Sequence, residues 1–129
     1  MSETPADEDR DDAGPEIAAL REAVVHSMEA LAAASRVLAT LFERLDVAMA
    51  TGTATIRAGS TAADLAVSVN LPGRREQLNE AAAQARSAQH ALFRALFRLA
   101  AAEGAPKAEI ARTWRVSRQL VSRMIKEPD

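Results

Sequence analysis

The sequence predicts an all-α protein, and three observations lead to this class. Apolar residues recur every seven residues over two long segments, 16–50 and 74–103, as they do on the buried face of a long helix. Aromatic residues make up only 3% of the 129 residues, so the core must be thin and rich in Ala and Leu, which suits packed helices. Residues 106–126 carry two shorter patterns with the same helical period.

The first 15 residues predict a disordered acidic tail. This segment holds two prolines, one basic residue and almost nothing apolar, so it cannot bury enough surface to offset the entropy of ordering. Its acidic residues are Glu3, Asp7, Glu8, Asp9, Asp11 and Asp12. Two roles stay open for the tail: it keeps the chain in solution, or it competes with DNA for the basic residues near the C-terminus.

Residues 16–50 predict one long helix. One heptad position holds Ile17, Val24, Leu31, Leu38 and Leu45, and a second holds Leu20, Ser27, Ala34, Leu41 and Ala48. Two such positions form the seam of a coiled coil or of a helical hairpin. The apolar stripe is widened by Val25, Met28, Val37 and Phe42. This widening indicates that the helix meets more than one neighbour, as in a bundle.

A loop and a short helix are predicted next. Two glycines and several hydroxyl residues break the heptads and predict a loop at about residues 51–61. Thr61 suits an N-cap and Asp64 suits a first helical turn, so a short helix is predicted at about residues 62–70. The alternation of residues 65–69 leaves a short strand open as an alternative.

A second long helix is predicted over residues 74–103, after a turn at Leu71-Pro72-Gly73. One of its heptad positions holds Leu78, Ala85, Leu92 and Leu99. Neighbouring alanines allow another helix to approach closely, so we expect this helix to lie antiparallel to the first. Residues 16–103 are therefore expected to form a long helical hairpin or bundle, and to serve as the dimerisation region.

Two short amphipathic helices are predicted in residues 104–126. Each has an apolar face, formed by Ile110, Ala111 and Trp114 in the first helix and by Leu120, Val121, Met124 and Ile125 in the second. Gly104 can adopt the left-handed conformation that ends the preceding helix, and Pro106 suits the start of the first short helix. Ser117 is a good N-cap for the second.

The spacing of these residues resembles the helix-turn-helix units of resolvase-type and actinobacterial DNA-binding proteins. Small Ala111 stands where the two helices cross, Val116 lies in the turn, and Val121 faces back into the pair. In one departure from the family, Arg115 stands where a turn glycine is most common. That position commonly needs a positive φ, which costs an L-residue about 1 kcal/mol. The resemblance covers only the C-terminal part of the chain.

The resemblance implies a third helix, because a helix-turn-helix pair cannot bury its apolar face alone. Phe93 and Phe97, four residues apart, locate this support at about residues 90–103. The predicted DNA-binding unit therefore spans residues 90–127 and shares the end of the second long helix. Helix 117–127 would then enter the major groove, with its first residues nearest the base edges.

Side-chain chemistry assigns the expected DNA contacts. Arg can pair with guanine and Gln with adenine through two hydrogen bonds, so the expected base contacts are Arg118, Gln119 and Ser122. The expected phosphate contacts are Lys107, Arg112, Arg115, Ser117, Arg123 and Lys126. Residues 104–126 hold six basic residues and one acidic residue, whereas the whole chain has a net charge of −2. Such local concentration of positive charge is typical of phosphate binding.

No catalytic residue, metal site or cofactor is expected, and the chain is predicted not to be an enzyme. The sequence has no Cys, and His26 and His90 lie on separate long helices without a partner at metal-ligand spacing. It contains neither a P-loop nor a G-x-S-x-G motif. No apolar run approaches the ~20 residues that span a bilayer, so we expect a cytoplasmic, nucleoid-associated protein with no membrane partner.

The expected function is sequence-specific DNA binding by a dimeric transcriptional regulator. Its expected partners are double-stranded DNA and a second copy of the chain, which would join through the long helices. Two alternatives stay open. One is a helical adaptor whose C-terminal unit binds a protein, and the other is an architectural or accessory DNA-binding factor of plasmid or phage type. The sequence indicates no particular operator and no effector ligand.

Overall fold

The computed structural model describes the backbone of residues 5–128 and the side chains of residues 14–128. This part of the chain forms helices and no strand, so the predicted all-α class is confirmed. The helices are α1 (Pro5–Arg57), α2 (Ala62–Ser68), α3 (Leu71–Ala102), α4 (Lys107–Trp114) and α5 (Arg118–Lys126). The chain divides into two compact units, one formed by Met1–Ala30 with Gln89–Asp129 and the other by Leu31–Ala88.

Helix α1 begins at Pro5 rather than at about residue 16. It therefore includes most of the segment that was expected to be a disordered acidic tail, while residues 1–4 lie outside the described residues. Proline is favoured in a first helical turn, and acidic residues are favoured near a helix N-terminus. The overall composition of the segment does not reveal these local preferences.

The predicted heptad seam of α1 is confirmed. Between residues 14 and 57, every residue that is buried or half-buried lies at the heptad position of Leu31 or at that of Leu41. The four apolar residues that widen the stripe are exposed, namely Val25, Met28, Val37 and Phe42. The second neighbour expected from this widening is thus not found among the described residues.

Helix α1 continues to Arg57, so the loop predicted at residues 51–61 is wrong except for its last four residues. The Thr53 hydroxyl donates to the Met49 carbonyl oxygen at 2.8 Å, and the Thr55 hydroxyl donates to the Thr51 carbonyl oxygen at 2.9 Å. These bonds satisfy both hydroxyls inside the helix. Gly52 is buried, and a Cβ added there would lie 3.3 Å from Cδ1 of Leu65. A glycine at this position lets α2 approach α1 closely.

The predicted short helix is confirmed as α2, and the strand alternative for residues 65–69 is wrong. As predicted, Thr61 is its N-cap, and the Thr61 hydroxyl accepts a hydrogen bond from the Asp64 N–H at 3.1 Å.

The turn between α2 and α3 lies at residues 69–70, before the predicted position, because Leu71-Pro72-Gly73 already belongs to the first turn of α3. Asn70 makes the turn with a φ of 53°. Its side-chain oxygen accepts a hydrogen bond from the Gly73 N–H at 3.3 Å. A Cβ added to Gly73 would come within 2.5 Å of the Asn70 side chain, so this capping contact depends on the glycine. Among the described residues, no helix combines the length and the apolar character that crossing a membrane requires.

Candidate nucleic-acid interface

The α4–α5 pair is built on a buried apolar cluster. The buried members come from three helices: Phe97 of α3, Ile110 and Ala111 of α4, and Val121 and Met124 of α5. Val121 is completely buried, with 0% exposure. Burying side chains of this size contributes about 1.5–3 kcal/mol each and fixes how α5 sits on its neighbours. The predicted inward positions of Ala111 and Val121 are confirmed.

Three aromatic side chains join α3 to α4. The ring of Trp114 contacts that of Phe93 with centroids 5.0 Å apart and an interplanar angle of 62°. It also contacts Phe97, at 5.1 Å and 83°. Both are edge-to-face geometries, which stabilise an aromatic pair by about 0.5–1.5 kcal/mol beyond area burial. The prediction that the two phenylalanines support the short helices is therefore confirmed for the contact with Trp114.

Gly104 ends the preceding helix as predicted. Its φ is 100°, a left-handed value that a residue with a Cβ rarely adopts. The Gly104 N–H donates to the Ala101 carbonyl oxygen at 3.1 Å, and the Ala105 N–H donates to that of Ala100 at 3.0 Å. This is the hydrogen-bond pattern of a Schellman motif, and it sets the direction in which the chain enters α4.

Arg115 takes the same role at the end of α4, although it is not a glycine. Its φ of 56° and ψ of 44° are left-handed, which confirms the conformation expected for this turn. The Val116 N–H donates to the Ala111 carbonyl oxygen at 3.0 Å, and Val116 packs against the buried cluster. The strain of an L-residue here, about 1 kcal/mol, is offset by this packing.

Helix α5 presents its N-terminal end to solvent. Ser117 is the N-cap, as predicted, and its hydroxyl accepts a hydrogen bond from the Leu120 N–H at 3.0 Å. Arg118 and Gln119 are the first two residues of the helix, and both are exposed. Ser122, on the same helix, is half-buried, so it offers less surface than the other two expected base contacts.

All the expected phosphate contacts are exposed. They are Lys107, Arg112, Arg115, Ser117, Arg123 and Lys126. None of the five basic members forms an ion pair with a described acidic residue. Their positive charge is therefore not neutralised within this part of the chain, and it is available to an anionic ligand.

Sequence reasoning missed how the C-terminal end of α5 is held. The Arg98 guanidinium donates from Nε to the Ile125 carbonyl oxygen at 3.0 Å, and from Nη2 to the carbonyl oxygen of Glu127. His90, expected to be an ordinary helix-face residue, has its Nε2 2.8 Å from the Glu127 carboxylate. Arg94 donates to the Pro128 carbonyl oxygen at 3.4 Å. The signal was the spacing of these three residues, since side chains four apart share a helix face.

No group of three or more His, Asp or Glu side chains that could hold a metal ion occurs among the described residues. Comparison of the chain with protein-family models, with curated proteins and with solved structures found no match.

Proposed function

We propose that the chain is a sequence-specific DNA-binding protein that acts as a homodimer, in the manner of a transcriptional regulator. In this proposal α4 and α5 form a helix-turn-helix unit, and α5 enters the major groove as the recognition helix. One observation carries the proposal. The buried cluster holds α5 by Val121 and Met124, while the first residues of the same helix are exposed, and the cations of α4, of the turn and of α5 form no ion pair with a described acidic residue.

The base contacts of the proposal lie at the start of α5. The guanidinium of Arg118 can donate two hydrogen bonds to O6 and N7 of a guanine, and the amide of Gln119 can pair with N6 and N7 of an adenine. Each such pair discriminates against a wrong base by about 1–3 kcal/mol. Ser122, one turn further along, is the third proposed contact. Because less of its surface is exposed, we expect it to discriminate between bases less strongly.

The phosphate contacts position the helix without reading sequence. Exposed basic side chains lie on α4, on the turn and along α5, and Ser117 adds a hydroxyl donor. Each phosphate that is neutralised releases counterions, so the affinity must fall steeply with salt concentration. The same mechanism predicts that removing one of these Lys or Arg side chains lowers the affinity for DNA.

The dimer follows from the size of the reading unit. A helix of nine residues contacts too few base pairs for tight specific binding, and two units placed about 34 Å apart on one face of the duplex would read two half-sites. We place the second copy on the long helices, away from α5. The proposal includes no catalytic activity and locates the protein in the cytoplasm, on the nucleoid.

The test is selection of binding sites from a random pool of labelled duplexes. The wild-type protein is compared with the double variant Arg118→Ala and Gln119→Ala. A matched control carries Gln84→Ala and Arg86→Ala, which remove the same two side-chain types from exposed positions of α3. We expect the wild type and the control to enrich one motif, and the variant at the start of α5 to lose it.

The outcomes separate the proposal from its alternatives. A palindromic motif would agree with a dimer that reads two half-sites. Binding that is sensitive to salt but enriches no motif would favour an architectural or accessory factor. Absence of binding at low salt would reject the DNA proposal and favour an adaptor whose C-terminal unit binds a protein.

A further inference from the structure

Helix α1 carries a second heptad stripe of exposed residues beside the buried one, and its last member, Met49, also lines a groove with Ala66 and Leu71. Its members are Ala32, Ser35, Ala39, Phe42, Asp46 and Met49, and we call this stripe the outer seam. The members are spaced alternately by three and four residues, as the buried seam is. All six are exposed, Phe42 at 56% and Met49 at 41%. Spacing of this kind fits another α-helix, because it keeps one stripe facing a straight partner over many turns.

We infer that the outer seam pairs with the outer seam of a second copy of this chain, and that the two α1 helices run antiparallel. This inference deepens the dimer part of the proposed function. It names the surface and the register, and its tests use no DNA, so its failure is separable from a failure of DNA binding.

Side-chain volumes favour this register. When Phe42 lies opposite Ala39 of the partner subunit, the symmetry of the pair places Met49 opposite Ala32 of the partner subunit. Each of the two large side chains then meets an alanine, and the same contacts recur with the two copies exchanged. Large side chains packed against small ones let two helices approach closely without leaving a void.

The polar members of the outer seam are also complementary in this register. Ser35 comes opposite Asp46 of the partner subunit, and its hydroxyl can donate a hydrogen bond to that carboxylate. This polar layer occurs twice in the symmetric pair, and polar layers within a seam fix the register and orientation of a coiled coil at some expense in stability. A parallel dimer would instead place the two Asp46 carboxylates against each other, which disfavours it.

The charges beside the outer seam select the same register. Arg36 and Glu43 are exposed residues of the heptad position that flanks it. In the proposed pairing, Arg36 of each copy lies next to Glu43 of the partner subunit. A shift of one helix by one heptad in one direction would place Arg36 against Arg36 of the partner subunit. A shift in the other direction would place Glu43 against Glu43 of the partner subunit. Like charges at these positions destabilise both shifted pairings. This self-complementarity identifies the occupant as a second copy of the chain.

The first test measures the mass of the full chain by analytical ultracentrifugation at tens of micromolar. We expect twice the chain mass of 13.8 kDa for the wild type and a single chain mass for Phe42→Glu. Val47→Glu is the matched control, because Val47 is also an exposed apolar residue of α1, at 68%, but lies off the outer seam. We expect it to remain a dimer. Circular dichroism checks that both variants keep the helix content of the wild type.

The second test reverses the flanking charges. Arg36→Glu and Glu43→Arg are each expected to raise the dissociation constant of the dimer about tenfold, since each replaces two attractive contacts by two repulsive ones. The double variant restores the attraction and is expected to return to within about threefold of the wild type. Failure of the double variant to recover would reject this register.

The third test fixes the orientation by cross-linking, which the absence of native Cys makes simple. The double variant Ala32→Cys with Met49→Cys is expected to form a disulfide-linked dimer in air. Each single variant is expected to stay uncross-linked, because identical positions lie about 25 Å apart along an antiparallel pair. Cross-linking by either single variant would show a parallel dimer and overturn the inference. A monomeric wild type in the first test would also overturn it.

Discussion

In residues 89–129 large side chains fill the space between the helices, whereas in residues 31–88 small residues let the helices come together. The buried cluster of the first region is centred on Phe97 and Val121, with Trp114 packed against it. In the second region, three of the four buried residues are Ala48, Gly52 and Ala81. Phe97 and Trp114 fill the space between α3 and the short helices, while alanine and glycine let neighbouring helices approach closely. We therefore expect a loss of side-chain volume to destabilise the first region most, and a gain of side-chain volume to destabilise the second region most.

The largest effect is expected from Phe97→Ala. It removes a side chain that is 2% exposed and leaves a cavity beneath Trp114 and α5, so we expect the free energy of unfolding to fall by about 3–5 kcal/mol. Urea unfolding followed by the fluorescence of Trp114 measures this loss directly, because it is the only tryptophan. Val67→Ala, at a position 82% exposed, is the control and should change the stability by less than about 0.5 kcal/mol. A similarly small change for Phe97→Ala would contradict the described core.

A smaller loss is expected from Ala48→Leu in the second region. Ala48 is 5% exposed, and added methyl groups at such a position force neighbouring side chains or the backbone to shift. We expect a destabilisation of about 1–3 kcal/mol, measured by urea unfolding followed by circular dichroism. The matched control is Ala50→Leu, two residues along the same helix at an exposed position. Equal stabilities of the two variants would mean that Ala48 does not mark a close approach of helices.

The two regions also differ in how much of them the sequence could predict. The buried seam of α1 and the turn residues Gly104 and Ser117 were predictable, because heptad spacing, left-handed backbone and N-capping are local properties. The extension of α1 through Gly52 was not, since glycine and hydroxyl residues disfavour a helix locally, whereas the burial of Gly52 close to Leu65 is a tertiary property. The anchoring of α5 by Arg98 joins residues 27 apart, although the four-residue spacing of His90, Arg94 and Arg98 already placed these side chains on one face of α3. Exposure of the expected DNA contacts other than Ser122 follows from the helical period, and the selection of binding sites tests their ligand.

Each region contains one non-glycine residue in the left-handed conformation, and the smallest effects are expected there. Asn70 has a φ of 53° and Arg115 a φ of 56°. The side chain of Asn70 accepts a hydrogen bond from the Gly73 N–H, which stabilises the start of α3. The backbone of Arg115 makes a helix-end turn, and its exposed side chain has no described hydrogen bond within the chain. The same substitution by glycine should therefore have opposite results at the two positions.

Arg115→Gly is expected to stabilise the fold by about 0.5–1 kcal/mol, because relief of the left-handed strain exceeds the added entropy of the unfolded chain. Asn70→Gly relieves less strain, since Asn tolerates this conformation, and it loses the cap, so a destabilisation of about 0.5–1 kcal/mol is expected. Urea unfolding of both variants gives the two signs. Arg115→Ala, which removes the same side chain but keeps a Cβ, separates backbone relief from loss of charge. If Arg115→Gly and Arg115→Ala were equally stable, the strain at this turn would be negligible, and the turn would tolerate arginine as readily as glycine.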